Sequence, residues 1–160
     1  MLDFNNVLLA SSTLTVKHLV SKKSALQLAS EVLAVRFPKL DTRLLFNHLM
    51  EREDLGSTGL GEGVAIPHCR MSGFSQIAGV FLKLTTPIEF ESPDGLPIDL
   101  MFVLVVPDEA EASHLQILSA LAAVFGKAEY RTLLRDIQTD EELHTEMLQL
   151  LISSQEKSKT

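Results

Sequence analysis

Imidazole serves as nucleophile, general base and metal ligand, and this sequence carries five histidines: His18, His48, His68, His114 and His144. Their settings differ. His48 lies on a helical pattern among Phe46, Leu49 and Met50 and reads as a packed or half-exposed helix residue. His144 lies in a glutamate-rich helical segment and reads as solvated, and His18 stands beside Lys17 with no constellation around it. His68 follows a glycine-rich run, a short apolar stretch and a proline. Pro67 fixes its own φ and pushes Ile66 into an extended conformation. The imidazole is therefore presented from a stiff support, as a nucleophile requires.

The surroundings of His68 suit an anion. Gly56, Gly59, Gly61 and Gly63 let backbone N–H groups converge without side chains in the way. Ser57 and Thr58 add hydroxyl donors, and Arg52, just upstream, offers a planar guanidinium that matches phosphate oxygens. His114 follows Ser113, an expected helix N-cap, so it would stand at a helix N-terminus, where dipole and free N–H groups favour anions. A second imidazole there could stabilise a charged phosphoryl group on the first. The residue types thus point to phosphate handling at His68, with His114, Arg52, Ser57, Thr58, Gly59 and Gly61 around it.

Other chemistries fit less well. The glycine run lacks the Lys-Ser/Thr ending of a P-loop and the dinucleotide-binding spacing. A hydrolase built on Ser57, His68 and Asp94 would lack a nucleophile-elbow motif. A metal site on His68, Cys69 and His114 would need adjacent His and Cys ligands, which strain tetrahedral geometry. No metal or cofactor is expected.

Composition narrows the class. The chain has 160 residues, 46% hydrophobic and 22% charged, enough for one domain with a core. A formal net charge of -7 argues against nucleic acid or an anionic membrane as partner. Cys69 is the single cysteine, which excludes an internal disulfide and suits a reducing compartment. No apolar run reaches about 18 residues, so membrane insertion is not expected. The first residues lack the basic start of a signal peptide, and a cytoplasmic location is the expectation.

The elements that must position these residues can be read from periodicity. One helix is expected over 24–37, stopped by Pro38, and a second from Asp41 as N-cap to Gly56 as a left-handed C-terminal residue. Residues 56–63 are expected to be loop. Short apolar runs predict strands over 64–66, 77–84 and 99–106, the last covered on both faces. Helices are expected from Ser113 to Phe125, over 128–137, and after Thr139-Asp140-Glu141-Glu142, which has capping-box spacing. The alternation predicts an α/β sandwich around a mixed sheet.

The run Arg52-Glu53-Asp54-Leu55-Gly56-Ser57-Thr58-Gly59-Leu60-Gly61-Glu62-Gly63-Val64-Ala65-Ile66-Pro67-His68 resembles the active-site signature of IIA domains of the bacterial phosphotransferase system. The similar group is the fructose/mannitol type and, within it, the nitrogen-regulatory branch. His114-Leu115-Gln116-Ile117-Leu118 resembles the second motif of that family, and Pro87-Ile88-Glu89-Phe90 with Pro97-Ile98-Asp99-Leu100 resembles its middle segment. The likeness covers residues 5–150 as one type-2 IIA domain and leaves 151–160 as a flexible polar tail.

This resemblance implies a single α/β domain, a mixed β-sheet flanked by helices on both faces. It implies His68 as the phosphoryl acceptor (a tele-phosphohistidine), His114 as the stabiliser of the phosphoryl group, Arg52 as a charge clamp and Ser57 as the loop hydroxyl. The donor would be a phosphorylated HPr-like phosphocarrier, itself charged from phosphoenolpyruvate by an enzyme I-type kinase. The group would pass between proteins, with no small substrate turned over. A regulatory IIA protein would change its partners, such as kinases or transport regulators, with phosphorylation state, in nitrogen metabolism and potassium homeostasis. The alternative is a sugar-specific IIA component that passes the group to a IIB protein of a fructose/mannitol-type transporter. A homodimer is compatible with either. Because attack needs a neutral imidazole, phosphorylation is expected to fade below about pH 6. Cys69 departs from the family pattern, which usually has glycine there, and sets an oxidisable thiol beside the nucleophile.

Overall fold

Two apolar runs form the centre of the sheet. β5 (Ala78–Ile88) and β6 (Ile98–Pro107) pair antiparallel, with Phe81 opposite Phe102 and Val80 opposite Val103. Nearly every residue of β6 is buried, so both faces of the sheet must be covered. The computed structural model describes residues 2–158. It places β1 (Thr13–Val16) parallel to β5 on one side, and β3 (Val64–Ala65) parallel to β6 on the other, with β2 (Gly59–Gly61) antiparallel to β3 at that end. β4 (His68–Met71) also runs parallel to β6. Ala65 faces Met101 and His68 faces Leu104, so β3 and β4 keep one register along the same edge of β6. They are one strand interrupted at Ile66–Pro67.

Alternation along β5 and β6 divides the core in two. Phe81, Leu100, Phe102, Leu104 and Val106 face α1 (Phe4–Val7), α4 (Glu111–Phe125), α5 (Ala128–Asp136) and α6 (Asp140–Ser158). Val80, Leu82, Met101, Val103 and Val105 face α2 (Lys22–Arg36) and α3 (Thr42–Leu55). The fold is a single mixed sheet with helices on both faces. No helix among the described residues is long and apolar enough to cross a membrane.

Caps fix the helix starts. Ser21 and Ser24 form a reciprocal capping box at α2, two residues before the expected start. Asp41 accepts from Leu44 N–H at 2.9 Å, as expected of an N-cap. Thr139 Oγ1 accepts from Glu142 N–H at 3.2 Å at the head of α6.

Several expectations need correction. Gly56 closes α3 in an extended conformation (φ 160°), not a left-handed one. The glycine run is not all loop: Gly59–Gly61 forms β2, and the reversal to β3 passes through Gly61, Glu62 and Gly63, all with positive φ. α4 begins at Glu111 after Ala110, so Ser113 lies inside the helix and caps nothing. The polar tail expected over 151–160 is helix as far as Ser158, with Leu151 fully buried, and residues 159–160 lie outside the described residues. α1, β1 and β4 were not anticipated.

Candidate functional site

The interruption at Pro67 decides how His68 is held. Leu104 N–H donates to Pro67 O at 2.8 Å, which keeps the strand on β6. Ile66 N–H donates to Thr58 O at 3.1 Å, which ties the same dipeptide to the residue that precedes β2. Ile66 O is taken by the imidazole itself, 2.8 Å from His68 Nδ1. A carbonyl oxygen only accepts, so Nδ1 carries the ring proton. Nε2 is left with a free lone pair, and the half-buried ring is fixed in orientation.

His68 opens on a cleft of about 340 Å³ between α3, β4 and α4. Its lining combines His48, Glu51, Arg52 and Leu55 of α3 with His68, Cys69 and Arg70 of β4 and His114 of α4. α3 lies on one face of the sheet and α4 on the other, so the cleft forms where the two helical layers meet at the β4 edge. The His68 and His114 rings stand edge to face, 5.4 Å between centroids and 65° between planes. Nε2 of His114 is buried and has no hydrogen-bond partner in the protein. A buried polar atom left unpaired is costly and calls for an explanation at a functional site.

The electrostatics favour neutral imidazoles. Burial pushes the His68 pKa below its ordinary value, and the positive charges of Arg52 and Arg70 push the same way, against the Ile66 hydrogen bond and Glu53. Burial likewise lowers His114, helped by His68 and Arg70. Arg52 Nη1 donates to Gly56 O at 3.0 Å, so its guanidinium is anchored at the end of α3.

The structure thus brings His68, His114 and Arg52 together. His114 comes from the first turns of α4, but its N–H is already bonded to Ala110 O at 2.8 Å, so it offers a side chain and not a helix-end donor. The glycine loop goes elsewhere. None of Ser57, Thr58, Gly59 or Gly61 lines the cleft. Ser57 Oγ donates to Phe90 O at 3.2 Å and accepts from Gly59 N–H at 3.1 Å. Thr58 is buried and gives both its N–H and its hydroxyl to the buried Glu53 carboxylate, which also meets Lys22 Nζ at 3.5 Å. Glu62 N–H goes to Asp94 Oδ2 at 2.8 Å. Thr58 and Glu62 thus spend their donors on the protein's own carboxylates, Glu53 and Asp94, and the Ser57 hydroxyl on a backbone carbonyl.

The sequence does not single out Arg70, and His48, read there as a packed or half-exposed helix residue, also lines the cleft. Arg70 lies two residues after His68, the spacing that returns to the same side of a strand. His48 lies four residues before Arg52, one helical turn away. The first spacing would have found Arg70 had β4 been recognised, and the second puts His48 on the Arg52 side of α3. Cys69, between His68 and Arg70, turns into the core beneath α2 and α3. Burial raises its thiol pKa to about 12. His68 and Cys69 therefore point to opposite faces and cannot share an ion. Among the described residues no group of three or more His, Cys, Asp or Glu side chains could hold a metal ion. Ser57 and Asp94 do not join His68 either, so the hydrolase arrangement is not assembled.

Comparison with known proteins gives this geometry a context. Residues 7–149 match the family model described as phosphoenolpyruvate-dependent sugar phosphotransferase system, EIIA 2. A nitrogen regulatory protein of Pseudomonas aeruginosa is 43% identical over 124 residues, covering 78% of this chain and 80% of that protein. The crystal structure of the nitrogen regulatory protein IIA-Ntr from Neisseria meningitidis is similar at a TM-score of 0.84 and 37% identity, covering 92% of this chain and 98% of that one. The 2-O-alpha-mannosyl-D-glycerate-specific EIIABC component of Escherichia coli is 31% identical over 125 residues, covering 77% of this chain and 19% of that protein. On a family match that spans nearly its whole length, the chain belongs to the EIIA type 2 family of the phosphoenolpyruvate-dependent phosphotransferase system, and its relatives include nitrogen regulatory IIA proteins.

Proposed function

We propose that this chain is a phosphocarrier of the regulatory type, accepting a phosphoryl group at Nε2 of His68 from a phosphorylated HPr-like protein. One observation carries the reading: Nδ1 of His68 is committed to Ile66 O, which leaves Nε2 as the nucleophile beside the unpartnered Nε2 of His114. In the transfer step the Nε2 lone pair forms the new N–P bond. The donor's N–P bond breaks, and its electron pair returns to the donor imidazole. The Nδ1 proton of His68 stays on its hydrogen bond to Ile66 O, which shares the positive charge that the ring acquires. One N–P bond replaces another, so the protein supplies positioning and charge and no redox or metal chemistry is required. Arg52 balances the oxyanion charge and the His114 ring supplies a donor, Nε2–H, when Nδ1 is the unprotonated nitrogen.

The regulatory role draws on the higher identity to nitrogen regulatory proteins, 43% against 31% for the sugar-specific relative, in which the matched region is only 19% of the chain. On this reading phosphorylation changes the charge at the mouth of the cleft and so changes which proteins dock there. Kinases and transport regulators of nitrogen and potassium metabolism are the partner class. The competing reading is a sugar-specific IIA that hands its phosphoryl group to a IIB protein.

The primary test is a labelling assay with phosphoenolpyruvate, an enzyme I-type kinase and an HPr-type carrier. Wild type takes label and His68→Ala does not. Label that survives His68→Ala sinks the proposal. Pull-downs with phosphorylated and unphosphorylated protein then separate the branches. A partner set confined to a sugar-specific IIB would defeat the regulatory one.

A further inference from the structure

We infer that Arg70 is a second cationic ligand of the phosphoryl group on His68, an assignment that rests on His68 being the acceptor. Residues two apart on a strand project to the same side. Cys69 turns into the core, so His68 and Arg70 share the side of β4 that faces the cleft, and both line it.

The guanidinium is placed. Its Nη1 donates to Asp108 O at 2.7 Å, in the turn that leads into α4, the helix of His114. Ser72 Oγ adds a bond to Asp108 Oδ2 at 2.7 Å, so the end of β4 and that turn are held together twice. On the other side Arg70 O lies 3.2 Å from Nδ1 of His48 on α3. The residue therefore sits on a strand tied to both walls of the cleft, the support that a binding group needs. One contact to Asp108 uses one of five guanidinium N–H donors, and the fork leaves others for oxyanions.

Charge counting gives the second argument. A phosphoryl group brings about two negative charges near neutral pH. The groups around it are His48, Glu51, Arg52 and the buried Glu53 from α3, Arg70 from β4, His114 from α4, and Asp108 behind Arg70. Lys22 and Thr58 already occupy Glu53. His114, whose pKa burial pushes down, offers a hydrogen-bond donor even in its neutral form. Arg52 alone offsets one negative charge, and Arg70 is the remaining cation in the lining. Its positive charge pushes the pKa of both His68 and His114 down, as expected of a cation bordering the same cleft.

The test measures the equilibrium of phosphoryl exchange between an HPr-type carrier and the full chain. Arg70→Gln is expected to shift it about tenfold toward the carrier, the loss of one charge-assisted hydrogen bond. Arg70→Lys, which keeps the charge and loses the fork, should shift it less. The ³¹P titration of phosphorylated Arg70→Gln should move to higher pH, because a phosphate that loses a cationic neighbour holds its proton more tightly. In the wild type the Arg70 Nε–H and Nη–H resonances should shift and exchange more slowly once the chain is phosphorylated, a measurement that needs no variant to fold. An unchanged exchange equilibrium and ³¹P titration in folded Arg70→Gln, or an unmoved Arg70 guanidinium in the wild type, overturns the assignment. Failure of the wild type to take label overturns the reading of His68 instead, so the two failures are distinguishable.

Discussion

Nδ1 of His68 lies 2.8 Å from the carbonyl oxygen of Ile66, the residue two places before it. Pro67 makes this possible. It breaks the strand between Ile66 and His68, so the Ile66 carbonyl faces the ring while the Pro67 carbonyl takes Leu104 N–H. The bond selects one tautomer and one nucleophilic nitrogen. A proline, a strand break and a regiochemical choice are therefore one structural fact.

The first prediction is regiochemical. The phosphoryl adduct should form on Nε2, with Nδ1 still protonated. Long-range ¹H–¹⁵N correlation spectra of the phosphorylated chain distinguish the two nitrogens. An adduct on Nδ1 would break the Ile66 bond and defeat the proposed geometry.

The second concerns pH. Attack requires the neutral ring, and burial, Arg52 and Arg70 lower the His68 pKa below the ordinary 6.5. A lowered pKa extends the neutral form to more acid pH, so acceptance should persist further below pH 6.5 than an exposed histidine would allow. The sequence-based expectation of fading below about pH 6 assumed an exposed ring. Arg52→Gln should raise the His68 pKa, read by NMR titration of the imidazole. The same sign acts on stability. Below pH 6.5 the unfolded chain binds the proton that folded His68 resists, so this contribution is intact above 6.5 and lost as pH falls through the folded pKa. A His68 pKa at or above 6.5 would contradict this account.

These features differed in how far they could be read in advance. The apolar run of β6 and the Asp41 cap are local signals, and the structure contains both. β4 reads His-Cys-Arg-Met, two polar residues in four, because it lines a cleft on one side and packs on the other. Hidden with it were Arg70 and the inward turn of Cys69. Ser113 is a better capping residue than Ala110, yet α4 starts at Glu111 without a side-chain cap. Ser57 and Thr58 looked like free donors, but the Ser57 acceptor, Phe90 O, lies 33 residues away, and the Thr58 acceptor, Glu53, is buried at the end of the preceding helix. Propensity speaks for a segment and says nothing about which distant carboxylate claims a loop.

The third prediction follows from that loop. Thr58→Val removes the hydroxyl donor to Glu53 and leaves a buried carboxylate oxygen short of a partner. A hydrogen bond to a charged group contributes about 2 kcal/mol, and urea denaturation should show a loss of that order. Phosphoryl acceptance should survive, since Thr58 does not line the cleft. Loss of acceptance in a folded Thr58→Val protein would restore the loop as a phosphate cradle.

The fourth concerns Cys69. Its position beside the nucleophile suggests a redox-sensitive thiol, but although the residue borders the cleft, strand alternation turns its side chain into the core under α2 and α3, where it is buried. Burial raises its pKa to about 12, so almost no thiolate exists at neutral pH, and thiolate is the reactive form. Folded protein should therefore resist iodoacetamide at pH 8 and react fully in denaturant. Cys69→Ala removes one buried heavy atom, comparable to a methylene, and should cost about 1 kcal/mol. Cys69→Gly adds backbone freedom and should cost about 2 kcal/mol. Both variants should still accept the phosphoryl group, because the side chain packs in the core under α2 and α3 and is not a ligand of the phosphoryl group. Rapid alkylation of the folded chain, or loss of acceptance in stable Cys69→Ala, would show that the thiol faces the site after all.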